Sequence, residues 1–249
     1  MTTGTPPAPP SLRERLDTGE NLVGALVRMP AEEMVEMLAV AGHDFVLVDC
    51  EHGSADLGTL RHHVTAAESF GLSVLVRSGA DDPGFVLRAL DLGVQGIVAP
   101  HIDSTEDASR LVRATRYPPL GDRGFATYSR AGRYGALGAE EHRRRAEEVL
   151  VVAMIESPAA VAATAEVTAV PGIDGYLVGT SDLAATRQPD DPSLDDLLRR
   201  THESAAPGSV RFELAGSADG ARAVLADGAR AVVHNVTVEL MELFRQMRV

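Results

Sequence analysis

The sequence predicts a single-domain (β/α)8 barrel, and three observations carry the prediction. Short apolar runs alternate with helical patterns along nearly the whole chain. The alternation counts to eight strands and roughly eight helices, and 249 residues suits eight βα units. Several apolar runs also end abruptly in titratable residues, as in Phe45-Val-Leu-Val-Asp49-Cys-Glu51-His52-Gly53. Parallel α/β folds place their chemistry at such strand ends. A doubly wound open sheet is the competing fold, but it would show a Gly-rich first turn that is absent here.

Residues 22–27 read as a buried strand, followed by a helix over 31–41 with Pro30 as its break and first-turn candidate. The next pairs are 45–48 with 57–70, 73–76 with 83–92, and 96–99 with 104–115. Ser104 and Asp107 make a capping-box-like start to that last helix. A long loop rich in Gly and Arg over 116–138 precedes a charged helix at 139–148. Then come 150–155 with 158–168, 175–178 with a short turn near 181–186, and 210–214 with 218–227. The strand 231–234 leads into a helix over 238–247 that is apolar on one face. Residues 1–10, rich in Thr and Pro, read as a disordered lead-in without the features of a secretory signal. The barrel occupies 11–249.

Composition narrows the function. A net charge of −13 argues against nucleic acid or an anionic membrane as partner. No apolar stretch has the length of a membrane span. The single cysteine, Cys50, fits a reducing, cytoplasmic setting. All 23 basic Lys and Arg positions are Arg. Without lysine, neither a Schiff-base mechanism nor a P-loop phosphate site can form.

The strand ends supply the candidate chemistry in turn: Asp49, Glu51 and His52; Arg77; Pro100 and His101; Glu156; Asp182; Glu213; His234 and Asn235. Glu156 and Asp182 come from neighbouring units, and two carboxylates plus water suit Mg²⁺ or Mn²⁺ better than Zn²⁺. His52 is a base candidate near neutral pH. Asp82 could orient it or simply cap a helix before Pro83. Arg77 could hold a carboxylate or stabilise an enolate oxygen. Cys50 reads as a packing residue, His62 and His63 as exposed helix positions, and Arg143, Arg144 and Arg145 as a solvated face. The arginines of the 116–138 loop, Arg123 among them, could reach an anionic substrate.

These residues sit in motifs that resemble the HpcH/HpaI aldolases, the metal-dependent pyruvate aldolases. The motifs are Val48-Asp-Cys-Glu-His-Gly53, Val76-Arg77, Asp82-Pro83, Ala114-Thr-Arg-Tyr-Pro-Pro119, Gly121-Asp-Arg-Gly124, Met154-Ile-Glu156 and Gly179-Thr-Ser-Asp-Leu183. The resemblance implies that His52 is the base, paired with Asp82, and that Arg77 contacts the pyruvate enolate. It implies a divalent metal on Glu156 and Asp182, Mg²⁺ or Mn²⁺ foremost with Co²⁺ or Zn²⁺ as alternatives. The backbone of Gly179, Thr180 and Ser181 would hold the pyruvate carboxylate, and Asp49, Glu51 and Arg123 would support the site. A class II aldolase acting on a 2-oxo acid and an aldehyde follows. So does a homo-oligomer, a hexamer that exchanges its last helix between subunits.

The chain departs from the family pattern at Thr180, where Pro is usual, in the segment 184–208, and at Val233-His234-Asn235-Val236. The acceptor end of the site is therefore where remodelling is expected. Oxaloacetate decarboxylation, a macrophomate-synthase-like condensation and citrate-lyase-like cleavage are the alternative enolate reactions. A barrel retained as a binding or scaffold subunit is the non-enzymatic alternative.

Overall fold

Apolar side chains at every second strand position point inward and close eight parallel strands into a barrel, in the order β1 to β8 with β8 pairing β1. The structure is a computed structural model and describes residues 10–248. Its strands are β1 Leu22–Val27, β2 Phe45–Asp49, β3 Ser73–Arg77, β4 Gly96–Ala99, β5 Leu150–Ile155, β6 Gly175–Val178, β7 Val210–Ala215 and β8 Ala231–Asn235. All eight lie where the apolar runs predicted them, some longer by one residue.

The helices are α1 Leu12–Asp17, α2 Glu32–Val40, α3 Leu57–Ser69, α4 Pro83–Leu92, α5 Thr105–Thr115, α6 Ala139–Glu147, α7 Pro158–Ala162, α8 Thr164–Thr168, α9 Thr180–Thr186, α10 Leu194–Ser204, α11 Ala218–Ala226 and α12 Val236–Gln246. The helix expected over 158–168 is two short ones meeting at Ala163. The expected lead-in over 1–10 falls outside the described residues, except for Pro10.

Two helices went unread in the sequence. Helix α1 places Leu12 and Leu16 against the barrel interior. Helix α10 fills the segment 184–208, where Ser193 caps the backbone N–H of Asp196 at 3.1 Å and Leu197 and Thr201 are buried.

The interior and exterior of the barrel follow from strand periodicity. Leu22, Leu26, Phe45, Leu47, Leu75, Val152, Met154, Leu177 and Phe212 fill the inside. Val46, Val48, Val74, Val76, Val151 and Tyr176 pack outward against the helices. Phe45 and Phe212 meet edge to face at 6.5 Å. Gly24 makes room for that packing, since a Cβ there would lie 2.3 Å from the Phe45 ring.

The loop 116–138 leaves α5 and enters β5 by way of α6, so it belongs to the N-terminal end of the barrel. Three of its four arginines are tied down there. Arg116 pairs with Asp174 at 2.8 Å, Arg123 with Asp91 at 3.0 Å, and Arg130 with Glu68 at 2.7 Å. Arg123 is buried and lies over the Tyr117 ring at 5.0 Å. The expectation that Arg123 supports the catalytic face is thereby corrected: it braces the opposite face.

Candidate active site

Continuing the inward count by two past each strand's apolar stretch gives the polar ring at the C-terminal mouth. In β1 it runs Leu22, Gly24, Leu26 and then Arg28; in β2, Phe45, Leu47 and then Asp49; in β3, Leu75 and then Arg77. In β5 the same count reaches Glu156, in β6 Gly179, and in β8 Asn235. One alternation thus builds both the core and the site.

Asp49 is the hub. It is fully buried, and its Oδ1 accepts the Arg77 Nε–H at 2.9 Å while its Oδ2 accepts from Arg77 Nη2. This is the two-point geometry that suits guanidinium and carboxylate. Oδ2 also accepts the Arg28 Nε–H at 3.0 Å, and Oδ1 accepts the backbone N–H groups of Glu51 and His52 at 3.2 and 3.1 Å. Burial alone would raise the Asp49 carboxyl, but the Arg77 guanidinium outweighs it and holds the group below the usual carboxylate range.

Glu156 is the second buried carboxylate. Its Oε1 accepts the His101 backbone N–H at 2.7 Å, with His101 Nδ1 at 3.1 Å. His101 adopts a left-handed backbone, φ 54°, to present both nitrogens. Burial pushes the Glu156 carboxyl up, and the charges of Glu51 and Asp182 push the same way against the His101 N–H. Gly179 packs on the other oxygen: a Cβ there would lie 2.4 Å from Glu156 Oε2.

Glu51 stands between the two centres. Arg77 Nη1 lies 3.3 Å from its Oε2 and His101 Nε2 lies 3.7 Å from its Oε1. The Arg77 contact has ion-pair distance without hydrogen-bond alignment, so the buried Glu51 Oε2 is left without a hydrogen bond among the described residues. Asp182 follows in the first turn of α9, half-buried. The N-cap of that helix, Gly179, offers no side-chain cap, so the N–H groups of Thr180 and Ser181 stay available to an anion.

The structure does not join every residue expected together. His52 is exposed, and its nearest charged neighbour is Glu51 at 3.9 Å, not Asp82. Within this chain Asp82 caps α4, accepting the Phe85 N–H at 2.8 Å, so the expected His52–Asp82 pair is not formed. Glu213 and His234 fall on the outward register. Glu213 pairs with Arg211 at 2.8 Å and His234 with Glu239 at 2.6 Å, both outside the barrel. His63, expected exposed, is buried and accepts the Ala31 N–H at 3.1 Å through Nε2. Cys50 is half-buried and its thiol is pushed up to about 12 by burial and by Asp49 and Asp56, so it is inert packing. The residues missed were Arg28, and His101 as a partner of Glu156; the count by two would have found Arg28.

A closed parallel barrel with a buried Arg–Asp clamp and carboxylates at its mouth defines a lyase-type α/β site of the kind that handles oxyanions. The family model described as HpcH/HpaI aldolase/citrate lyase matches residues 26–241, and the chain belongs to that family. It is a carbon–carbon lyase, in a family of class II, metal-dependent aldolases. It is 32% identical over 207 residues to a pyruvate aldolase of Rhizobium etli, covering 80% of this chain and 81% of that protein. It is 32% identical over 215 residues to the 2-keto-3-deoxy-L-rhamnonate aldolase of Escherichia coli K12, covering 85% and 78%. Among solved structures it is similar to an HpcH/HpaI aldolase/citrate lyase family protein from Burkholderia cenocepacia J2315, with TM-score 0.84, 29% identity and 94% and 96% coverage. No helix among the described residues is long and apolar enough to cross a membrane.

Proposed function

We propose that this site cleaves and forms 4-hydroxy-2-oxo acids through a pyruvate-type enolate. The observation that carries the reading is a clamped cation beside a cluster of carboxylates. Arg77, locked by Asp49, faces Glu51 and Glu156, and Glu156 is pushed up by burial and by its carboxylate neighbours.

The residues fit a divalent cation. Glu51 Oε2 is buried without a hydrogen bond, and Glu156 and Asp182 repel each other. Among the described residues, no cluster of three or more His, Cys, Asp or Glu side chains closes on one point. Two carboxylates with open positions suit Mg²⁺ or Mn²⁺, which keep several waters, better than a closed Zn²⁺ site. Glu156 and Asp182 would hold the ion, which when bound supplies Lewis-acid charge to the oxo and carboxylate oxygens of the substrate.

The chain's own groups do the rest. In cleavage, His52 accepts the proton of the 4-hydroxyl, the C3–C4 bond breaks, the aldehyde leaves, and the electron pair stays on the pyruvate half. The Nη1 edge of Arg77, free of Asp49, stabilises charge on the enolate oxygen. The first-turn N–H groups of Thr180 and Ser181 bind the carboxylate. The proton held by His52 passes to C3, directly or through water, which releases pyruvate and restores the imidazole. Addition to an aldehyde runs the same steps in reverse.

The test is exchange of the pyruvate methyl protons in D2O followed by NMR, which needs only the pyruvate half of the reaction. Exchange that depends on Mg²⁺ or Mn²⁺ and is lost in Arg77→Ala supports the reading. No exchange by the metal-loaded protein contradicts it.

A homo-oligomer belongs to the same proposal. Helix α12 buries no residue within the described chain and exposes Val238, Met241, Leu243 and Phe244, with Met247 exposed just past its end. A contiguous apolar face of this kind marks an interface. A second copy of the chain covers it in a hexamer, the assembly the family likeness suggests, and a cytoplasmic setting accords with the lone Cys50.

A further inference from the structure

We infer that Arg28 selects the acceptor, and that the aldehyde half of the substrate carries an anionic group, a carboxylate or a group of like charge and shape. The inference rests on the aldolase reading above and extends it to the other end of the site.

Arg28 follows β1 on the inward register, so its side chain enters the barrel mouth. Two neighbours fix it. Its Nε donates to Asp49 Oδ2 at 3.0 Å and its Nη1 to Asn235 Oδ1 at 2.9 Å. Those contacts consume one edge and one tip of the fork. Its Nη2 has no hydrogen-bond partner among the described residues, and it is not one of the buried orphans, so it reaches solvent.

Asn235 is oriented by the same contact. Its Oδ1 takes the Arg28 Nη1–H and lies 3.4 Å from the Val238 N–H, which turns its amide NH2 away from both. That NH2 also lacks a partner among the described residues and is not buried. Two donors, one of them cationic, are therefore presented together at the β1–β8 side of the mouth. Paired donors of this kind match the two oxygens of a carboxylate.

Position decides which half of the substrate they meet. Glu156, at the end of β5, stands directly across the eight-strand barrel from β1, with Asp182 beside it just beyond β6. Arg77 at β3 lies between. A substrate whose pyruvate half sits by Glu156 and Asp182, and whose enolate oxygen meets Arg77, extends its acceptor toward Arg28 and Asn235. Arg28 is also not needed to satisfy Asp49, whose two oxygens already receive Arg77 and the N–H groups of Glu51 and His52. Oδ1 takes three of those donors and Oδ2 one, so Arg28 adds a second donor to Oδ2 with its Nε and leaves its outer nitrogens for another partner.

The experiment measures kcat/KM for addition of pyruvate, with Mn²⁺ present, to matched aldehydes. Glyoxylate, 3-oxopropanoate and 4-oxobutanoate are each set against the neutral aldehyde of the same chain length. A preference for the anion of about 10- to 100-fold in at least one pair is expected, the worth of one charge-assisted hydrogen bond. Arg28→Gln should collapse that ratio toward one, chiefly through the KM of the anionic aldehyde, and Arg28→Lys should keep part of it. Asn235→Leu is a second variant, expected to lower the ratio with Arg28 intact. Wild-type protein that exchanges pyruvate methyl protons but prefers no anionic aldehyde overturns this inference alone. Failure of the exchange itself overturns the aldolase reading with it. A preference that survives both Arg28→Gln and Asn235→Leu also overturns the assignment.

Discussion

Asp49 grips Arg77 along one edge of the guanidinium, taking Nε–H on Oδ1 at 2.9 Å and Nη2–H on Oδ2, and leaves the Nη1 tip pointing to Glu51 at 3.3 Å. Both side chains are buried. The clamp fixes which nitrogen of Arg77 can meet a substrate oxygen. Asp49→Ala removes both hydrogen bonds of the buried Arg77 guanidinium, leaving it only the unaligned Glu51 contact, and should cost about 3–5 kcal/mol of stability, measured by urea unfolding. Activity should fall further than the loss of folded protein explains.

The same clamp predicts acid sensitivity. The folded Asp49 carboxyl lies below its unfolded value, so its contribution is fully present above the unfolded value near 4 and is lost as pH falls through the lower folded one. Wild-type unfolding free energy should therefore drop between about pH 4 and the folded value, with a shallower drop in Asp49→Asn. Equal slopes for the two proteins would count against the clamp.

Glu156 carries the opposite sign. Its folded carboxyl is raised, so metal-free protein loses stability as pH rises from the ordinary carboxylate range through the folded value. Glu156→Gln should remove that loss and raise the melting temperature of the metal-free protein at neutral pH. It should also abolish the stabilisation that Mn²⁺ gives wild type. A variant that still gains from Mn²⁺ would remove Glu156 from the metal set.

Gly179 is required by Glu156 and not by its own backbone. Gly179→Ala puts a Cβ 2.4 Å from Glu156 Oε2 and 2.9 Å from Glu156 Cβ, displacing the carboxylate. Mn²⁺ affinity should fall at least about 10-fold, as for loss of a group that orients a metal ligand. Titration calorimetry reads the affinity, with circular dichroism showing the fold retained.

Much of this is legible in the sequence. Eight apolar runs place eight strands because burial on both faces makes parallel strands nearly continuous in Val, Ile and Leu. Asp49, Arg77 and Glu156 stood out because polar residues end such runs. What was not legible depends on side-chain direction and on tertiary partners. Glu213 and His234 occupy strand ends as plainly as Asp49, but one residue of register turns them outward. Arg28 does not stand out in the sequence, because a single basic residue after Val27 is unremarkable until the inward count reaches it. His63 is buried because Ala31, which has no side-chain cap of its own to offer, donates its N–H to the ring. Helix α10 carries the cap Ser193 and acidic Asp195 and Asp196 in its first turn, but the Gln188-Pro-Asp-Asp-Pro192 stretch before it reads as a long loop.

The assembly is tested by mass in solution. Wild type should run as a multiple of the 26.3 kDa chain by light scattering. Met241→Asp with Phe244→Asp should shift it toward smaller species, because charge on the exposed α12 face opposes burial against a neighbour.

The most direct test of the aldolase account is pyruvate release from a 4-hydroxy-2-oxo acid, before and after EDTA, with Mg²⁺ or Mn²⁺ then restored. The account predicts release that EDTA abolishes and either metal recovers, with His52→Ala and Arg77→Ala each inactive in the restored protein. Release that persists through EDTA, or no release with any divalent metal, would contradict it.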